Sequence, residues 1–283
     1  MAENAFITIV NGLRILKKHP VLFVPSVIYY FATIVLGVSF ILLLLDFEKF
    51  GFGTLLYVLI GFLVLIFFIY SFVNAGSIGM AKEAVESGST NFKYLFSYGK
   101  KYSFRLMAAT IFIMLIRSVS AIFWKPVLNK FGGLEYDADY VIDALNNDPS
   151  LLLPMFETLA VPVLIAVFAS AIYLILVSFM FFFVSYIIVI DDLSVFKSYR
   201  KSFKLLRTRP IRIISFIFLI TVIQSLTTFI SILFTAALNY FGFPSFIGLA
   251  VHLILLIFTA AALNIWVTRF YIILTKKETA AIC

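Results

Sequence analysis

Cysteine is nearly absent from this chain, charge is scarce, and histidine occurs twice, and each shortage removes a class of explanation. The one cysteine, Cys283, allows no internal disulfide and no cysteine-built metal site. A prenylation signal is not expected, because it places three residues after its cysteine. The two histidines, His19 and His252, fall on opposite sides of the expected membrane, so no shared metal is implied. Charged residues make up 13% of the chain, against roughly 25% in a soluble domain. Hydrophobic residues make up 63% and the mean hydropathy is +1.10, more apolar surface than a soluble fold of this length can hide. Lipid is therefore the solvent for part of the molecule. Catalytic motifs are missing as well. There is no His-Glu-x-x-His, and Asp191-Asp192 is the only adjacent acidic pair, where a membrane prenyltransferase carries Asp-rich motifs at more than one span end. The chain reads as a non-enzyme without cofactor or metal.

What is present is basic and clustered. The formal charge is +8, and 18 of the 22 Lys and Arg residues fall within 1–20, 82–105, 191–212 and 269–283. Each gap between those stretches holds two apolar runs long enough to cross a bilayer. Loops rich in Lys and Arg stay on the cytoplasmic side. The pattern predicts an all-α membrane protein of six spans with both termini cytoplasmic in the cell membrane. The spans are expected near 21–45, 54–74, 103–124, 158–190, 210–238 and 245–274. In a soluble protein such a charge would suggest nucleic acid; beside spans it serves orientation and contact with anionic headgroups, so nucleic acid is excluded as a partner. Residues 1–20 lack the early apolar core of a cleavable signal peptide. The 34 phenylalanines read as packing and lipid-facing material.

Three cytoplasmic segments have amphipathic spacing and read as interfacial helices, one ahead of each span pair. In 6–18 the apolar stripe is Phe6, Ile9, Val10, Leu13 and Leu16, opposite Arg14, Lys17 and Lys18. In 91–102, Phe92, Leu95 and Phe96 oppose Lys93, Lys100 and Lys101. In 191–209, Val195, Tyr199, Phe203 and Leu206 recur at helical spacing, with Lys197, Arg200, Lys201, Lys204 and Arg207 covering the rest. Asp191-Asp192 stands at the start of this third segment, where a carboxylate complements a helix dipole. Gly76, Gly79 and Ala81 after the second span are small enough for close helix contact.

The order basic helix, span, outer turn, span occurs three times, giving candidate repeats 1–82, 83–190 and 191–283 within one membrane domain. Phe6 precedes Pro20 by the same interval that separates Phe196 from Pro210, and Lys17 and Arg207 each stand three before the proline. The middle copy has Lys100 three before Ser103 and lacks the proline. The only sizeable extracytoplasmic part is 125–157, which carries Glu135, Asp137, Asp139, Asp143 and Asp148. It reads as a solvated acidic face, without the pattern of a calcium-binding loop.

The run Lys17-Lys18-His19-Pro20, the run NAGSIGMA over 74–81 and the run DDLSVFKSYRKSFKLL over 191–206 resemble the six-span membrane domain found ahead of some bacterial glycerophosphodiester phosphodiesterases, and related bacterial and archaeal membrane proteins. The phosphodiesterase catalytic domain is not present. The resemblance implies a membrane module of unassigned chemistry.

Ionisable and polar groups within spans are the remaining candidates. Arg117 reads as a side chain reaching the outer interface, with an anion contact as the functional alternative. His252 reads as a hydrogen-bonded packing residue. Gln224, Thr228 and Ser231 share a helix face; with Asn264 they read as interhelical glue, or else as the lining of a hydrophilic path. Two functions follow. One is a non-enzymatic module that binds the anionic phospholipid bilayer, or another membrane protein, through Lys17, Lys18, Lys100, Lys101, Lys197, Arg200, Lys201, Lys204 and Arg207. The other is a small-solute transporter or channel, which requires a polar cavity running through the bundle.

Overall fold

The computed structural model describes residues 5–45, 52–132 and 153–282, and every regular element among them is helical. In chain order these are α1 (Ala5–Lys18), a 3-10 turn (Pro20–Phe23), α2 (Val24–Leu45), α3 (Phe52–Glu86), α4 (Lys93–Ser118), a 3-10 turn (Val119–Trp124), α5 (Lys125–Gly132), α6 (Leu153–Phe181), α7 (Val184–Ile190), α8 (Val195–Thr208), α9 (Pro210–Tyr240) and α10 (Ser245–Ile282). Among the described residues, six stretches are long and apolar enough to cross a membrane: Pro20–Leu43, Leu56–Glu86, Lys93–Asn129, Ala160–Ile190, Pro210–Leu238 and Phe246–Thr275. The molecule is a polytopic all-α membrane protein.

Proline accounts for two of the breaks. The ring of a proline crowds the preceding residue out of the helical region. His19, before Pro20, has φ −127° and ψ 75°, and Arg209, before Pro210, has φ −138° and ψ 51°. α1 and α8 therefore stop at those points, and each proline opens the next element where its missing N–H costs nothing. The middle segment has Ser103 in the equivalent place. Helical hydrogen bonding there runs without interruption, so the basic segment 91–102 becomes the opening turns of the span helix α4 instead of a separate interfacial helix. The fourth span is interrupted differently, by a turn at Phe182 and Phe183 between α6 and α7. Helix also continues beyond the expected end of the third span, through α5. The acidic residues Glu135, Asp137, Asp139, Asp143 and Asp148 lie outside the described residues, as does Cys283.

The chain forms two compact units, one of residues 1–109 and 183–283, the other of 110–182. In the first unit, burial is concentrated at the end that carries the basic residues. Ile78 and Met80 of α3, Ile187 and Ile188 of α7, Ile213 and Phe216 of α9 and Ile265 and Tyr271 of α10 are fully enclosed there. The rings of Phe216 and Phe270 stack with centroids 3.9 Å apart. Toward the opposite end, large apolar side chains such as Ile41, Phe229 and Leu249 are exposed, as hydrocarbon-facing residues are. Small residues set the closest helix approach. A Cβ on Gly76 would stand 2.5 Å from the Leu95 carbonyl oxygen, and one on Gly79 would overlap the Tyr98 ring. α3 and α4 thus meet where the sequence placed its small residues, and Ala81 is buried beside them. Tyr98 seals the contact by donating to Glu83 Oε1 at 2.7 Å.

Side-chain hydrogen bonds join α4 and α6 in the second unit. Tyr173 donates to the Ile116 carbonyl at 2.6 Å, and its ring meets Phe123 edge-on. Arg117 donates through Nη2 to Ser178 Oγ at 3.0 Å, and Ser178 in turn donates to Leu174 O at 2.7 Å.

Candidate functional site

Three features carry unusual chemistry for a membrane helix bundle: a basic surface, a carboxylate cluster beside it, and a polar cavity further along the first unit.

The basic surface begins with α8. This helix packs Ser198, Tyr199, Ser202 and Leu205 inward. Small serines let it approach closely, and Tyr199 donates to the Ala109 carbonyl at 2.7 Å. Burial pushes the Tyr199 phenol well above its usual range, so it stays a donor. The other face is exposed. Phe196, Arg200, Phe203 and Arg207 recur at i, i+4, i+7 and i+11, one stripe along the helix, with the Phe196 side chain 71% exposed and Phe203 47%. Lys197 and Lys204 flank that stripe and are exposed. α1 repeats the arrangement. Thr8, Ile9, Gly12 and Leu16 are buried, Gly12 lying against the Trp266 ring of α10. Phe6 and Leu13 stay exposed alongside Arg14, Lys17 and Lys18. The apolar stripes read from the sequence are therefore shared between the protein core and the outside. Tyr199 and Leu16 serve the first, Phe203 and Phe6 the second.

The carboxylate cluster corrects the reading of Asp191-Asp192. Ser194 flanks the start of α8, and the two aspartates are engaged by side chains of α4, α8 and α10. Asp191 Oδ2 accepts from Lys201 Nζ at 2.8 Å and from the Tyr271 hydroxyl. Asp192 accepts from Lys101 Nζ at 2.8 Å and Arg105 Nη1 at 2.7 Å. Asp192 also has φ +53°, a conformation that aspartate tolerates better than most residues. The hydrogen bond from Lys101, then that from Arg105, holds its carboxyl below the ordinary aspartate range. Close by, Lys82 donates to the Ile190 carbonyl at 3.1 Å, which closes the C-terminal end of α7. Two residues expected to face lipid, Lys101 and Lys201, are ion-paired within the protein, Lys101 while remaining exposed; Lys17, Lys18, Lys100, Lys197, Arg200, Lys204 and Arg207 are exposed as well.

The polar cavity lies between α2, α9 and α10, with a volume of about 350 Å³. Tyr30 of α2, with Gln224, Thr227, Thr228, Ser231, His252 and Thr259, supplies its polar wall. The hydroxyl of Ser231 and Nδ1 of His252 are 2.7 Å apart. A second cavity of about 730 Å³ shares Ser231 and His252 and is otherwise mostly apolar, with Ile232, Phe246 and Leu249 in its wall. Three of the polar intramembrane candidates, Gln224, Thr228 and His252, therefore meet in one place. Asn264 does not join them. It donates to Ser77 Oγ at 2.8 Å and accepts from the Tyr186 hydroxyl at 3.2 Å, joining α3, α7 and α10 as interhelical glue. Arg117, in the second unit, donates to Ser178.

Sequence reasoning missed the partners of Asp191 and Asp192. The available signal was the pair's position as the only adjacent acids amid four basic stretches. Among the described residues no group of three or more acidic, His or Cys side chains is placed to hold a metal. A family model described as a domain of unknown function (DUF7847) matches residues 5–274, so the chain belongs to that family. No curated protein and no solved structure matches it.

Proposed function

We propose that this member of the DUF7847 family is a non-enzymatic membrane module whose basic end lies at the cytoplasmic leaflet and holds anionic phospholipid headgroups. The observation that carries this reading is the exposed stripe of α8, where Phe196 and Phe203 alternate with Arg200 and Arg207 while the opposite face is locked to the core. A rigidly held helix that presents rings and guanidinium groups together fits the boundary between headgroups and acyl chains. Lys17 and Lys18 on α1 and Lys197 and Lys204 on α8 extend the positive surface. Each such residue contributes roughly 1 kcal/mol near an anionic surface. The likeness of 17–20, 74–81 and 191–206 to the membrane domain preceding glycerophosphodiester phosphodiesterases is consistent with a lipid-facing task.

A small-solute transporter or channel is the second reading, and the polar cavity is what favours it. On the basic side of that cavity, however, α10 is closely packed, with Ala261, Ala262, Ile265 and Trp266 each no more than 3% exposed. That packing favours a lipid module over a through-path. The test is reconstitution of Arg200→Gln/Lys204→Gln/Arg207→Gln beside wild type into zwitterionic vesicles and into vesicles with added phosphatidylglycerol. Phosphatidylglycerol is expected to raise the melting midpoint of wild type and to do so much less in the variant. Equal gains in both would overturn the reading.

A further inference from the structure

We infer that the cavity between α2, α9 and α10 is a binding site for the head of a neutral lipid that carries free hydroxyl groups. It is separate from the basic surface and does not rest on it.

The wall of the cavity restricts its occupant twice. First, no carboxylate, lysine or arginine lines it. A charged group held in a span without a counter-charge or metal is strongly disfavoured, so the occupant is uncharged. Second, three of the hydroxyl protons of the wall are already committed. Thr227 donates to Ile223 O at 2.8 Å, Thr228 to Gln224 O at 3.0 Å and Thr259 to Leu255 O at 2.8 Å. A threonine hydroxyl has one proton and two lone pairs. With the proton spent on the helix, each oxygen offers only acceptance toward the cavity. These three oxygens ask for donors, while the Tyr30 phenol and the Ser231–His252 pair can also donate, so the wall suits a group that both donates and accepts, and an uncharged group that does both at one atom is an alcohol. Gln224 adds one carbonyl acceptor and an amide donor that suits the alcohol's own oxygen.

The neighbouring cavity points to where that alcohol comes from. It meets the polar one at Ser231 and His252 and continues among Ile232, Phe246 and Leu249, side chains that are exposed in spans and face hydrocarbon. Gly248 keeps α9 and α10 in contact beside this opening, since a Cβ there would stand 2.7 Å from Thr235 Cγ2. A polar cavity that opens sideways onto an apolar one fits an amphiphile whose head enters and whose chains remain in lipid. Diacylglycerols and long-chain isoprenoid alcohols have this chemistry. The polar cavity's 350 Å³ falls within the range of small-molecule sites, roughly 300–1,000 Å³.

The test uses the full chain in detergent and three probes: 1,2-dioctanoylglycerol, the same lipid with its hydroxyl acetylated, and free glycerol. Dioctanoylglycerol is expected to raise the melting midpoint by about 5 °C at saturation. The acetylated lipid and free glycerol are expected to leave it unchanged. In Thr227→Val/Thr228→Val, which preserves shape and removes two acceptors, the gain should disappear while the midpoint without ligand stays near that of wild type. Should that variant fold poorly, a photoreactive diacylglycerol is expected to label wild type within 224–231 or 252–259. Equal protection by the acetylated lipid, protection by glycerol alone, a full gain in the double variant, or labelling confined to other segments would overturn the inference. Arg200→Gln/Lys204→Gln/Arg207→Gln should keep the dioctanoylglycerol response, so loss of one site is read separately from loss of the other.

Discussion

Asp191 and Asp192 are sequence neighbours with different partners, and substitution should separate them. Asp191 receives Lys201 and the hydroxyl of the fully buried Tyr271. Removing an acceptor that leaves a buried donor unsatisfied costs about 1–3 kcal/mol, whereas removing the donor costs about 1 kcal/mol. Asp191→Ala is therefore expected to lower thermal stability in detergent more than Tyr271→Phe does. Asp192 is exposed, and its ion pairs act through protonation. Its folded-state carboxyl is held below the ordinary value by Lys101 and then Arg105. A group whose folded value is depressed stabilises the fold above its unfolded value, about pH 4, and loses that contribution as pH falls through the lowered folded value. Wild type should lose this increment on acidification below about pH 4, and Asp192→Asn should show a correspondingly flatter acid limb. Identical limbs would remove the ion pairs from the account of stability. Apart from Lys201, ten residues beyond Asp191, none of these partners could be read locally. Lys101 and Arg105 stand 91 and 87 residues from Asp192, and no periodicity in one segment reports a partner in another.

Helix boundaries and helix contacts were more legible, because proline and glycine act through local sterics. Pro20 and Pro210 mark breaks that the backbone angles of His19 and Arg209 reproduce. Spacing alone is less informative. The stripe through Phe92, Leu95 and Phe96 fits an interfacial helix equally well as the first turns of a span, and only the missing proline at Ser103 decides for α4. Ser103→Pro should accordingly cost about 3 kcal/mol, because it removes a hydrogen bond within an uninterrupted helix. The small residues of α3 give a paired test. Gly76→Ala puts a Cβ against the Leu95 backbone and should cost about 1–3 kcal/mol. Gly37→Ala in α2 meets nothing within 4 Å and should be neutral or stabilising by up to about 1 kcal/mol through helix propensity. Melting midpoints of the two variants in one detergent check this; a Gly76→Ala midpoint equal to wild type would mean that α3 and α4 are not held at this distance.

For the molecule as a whole, hydropathy was the strongest signal and side-chain chemistry the weakest. Six long apolar runs separated by basic stretches lead directly to six membrane-length helices, because lipid leaves a chain few alternatives. The gathering of Gln224, Thr228 and His252 around one cavity depends on how α9 and α10 rotate against each other. A helix face read from spacing does not contain that rotation. The basic end is proposed to face the cytoplasm, which a thiol label can report. In a Cys283→Ser background, Lys204→Cys should react with an impermeant maleimide only after lysis, and Tyr240→Cys, at the far end of α9, should react in intact cells. The most direct measurement is native mass spectrometry of the purified protein with equal amounts of phosphatidylglycerol and phosphatidylcholine, comparing wild type with a variant in which Lys17, Lys18, Lys197, Arg200, Lys204 and Arg207 are all replaced by Gln. Wild type should retain phosphatidylglycerol in clear excess and the variant should retain both lipids alike, because headgroup attraction of about 1 kcal/mol per basic residue is lost at six positions. An undiminished preference for phosphatidylglycerol in the variant would contradict the basic surface as the lipid-holding element.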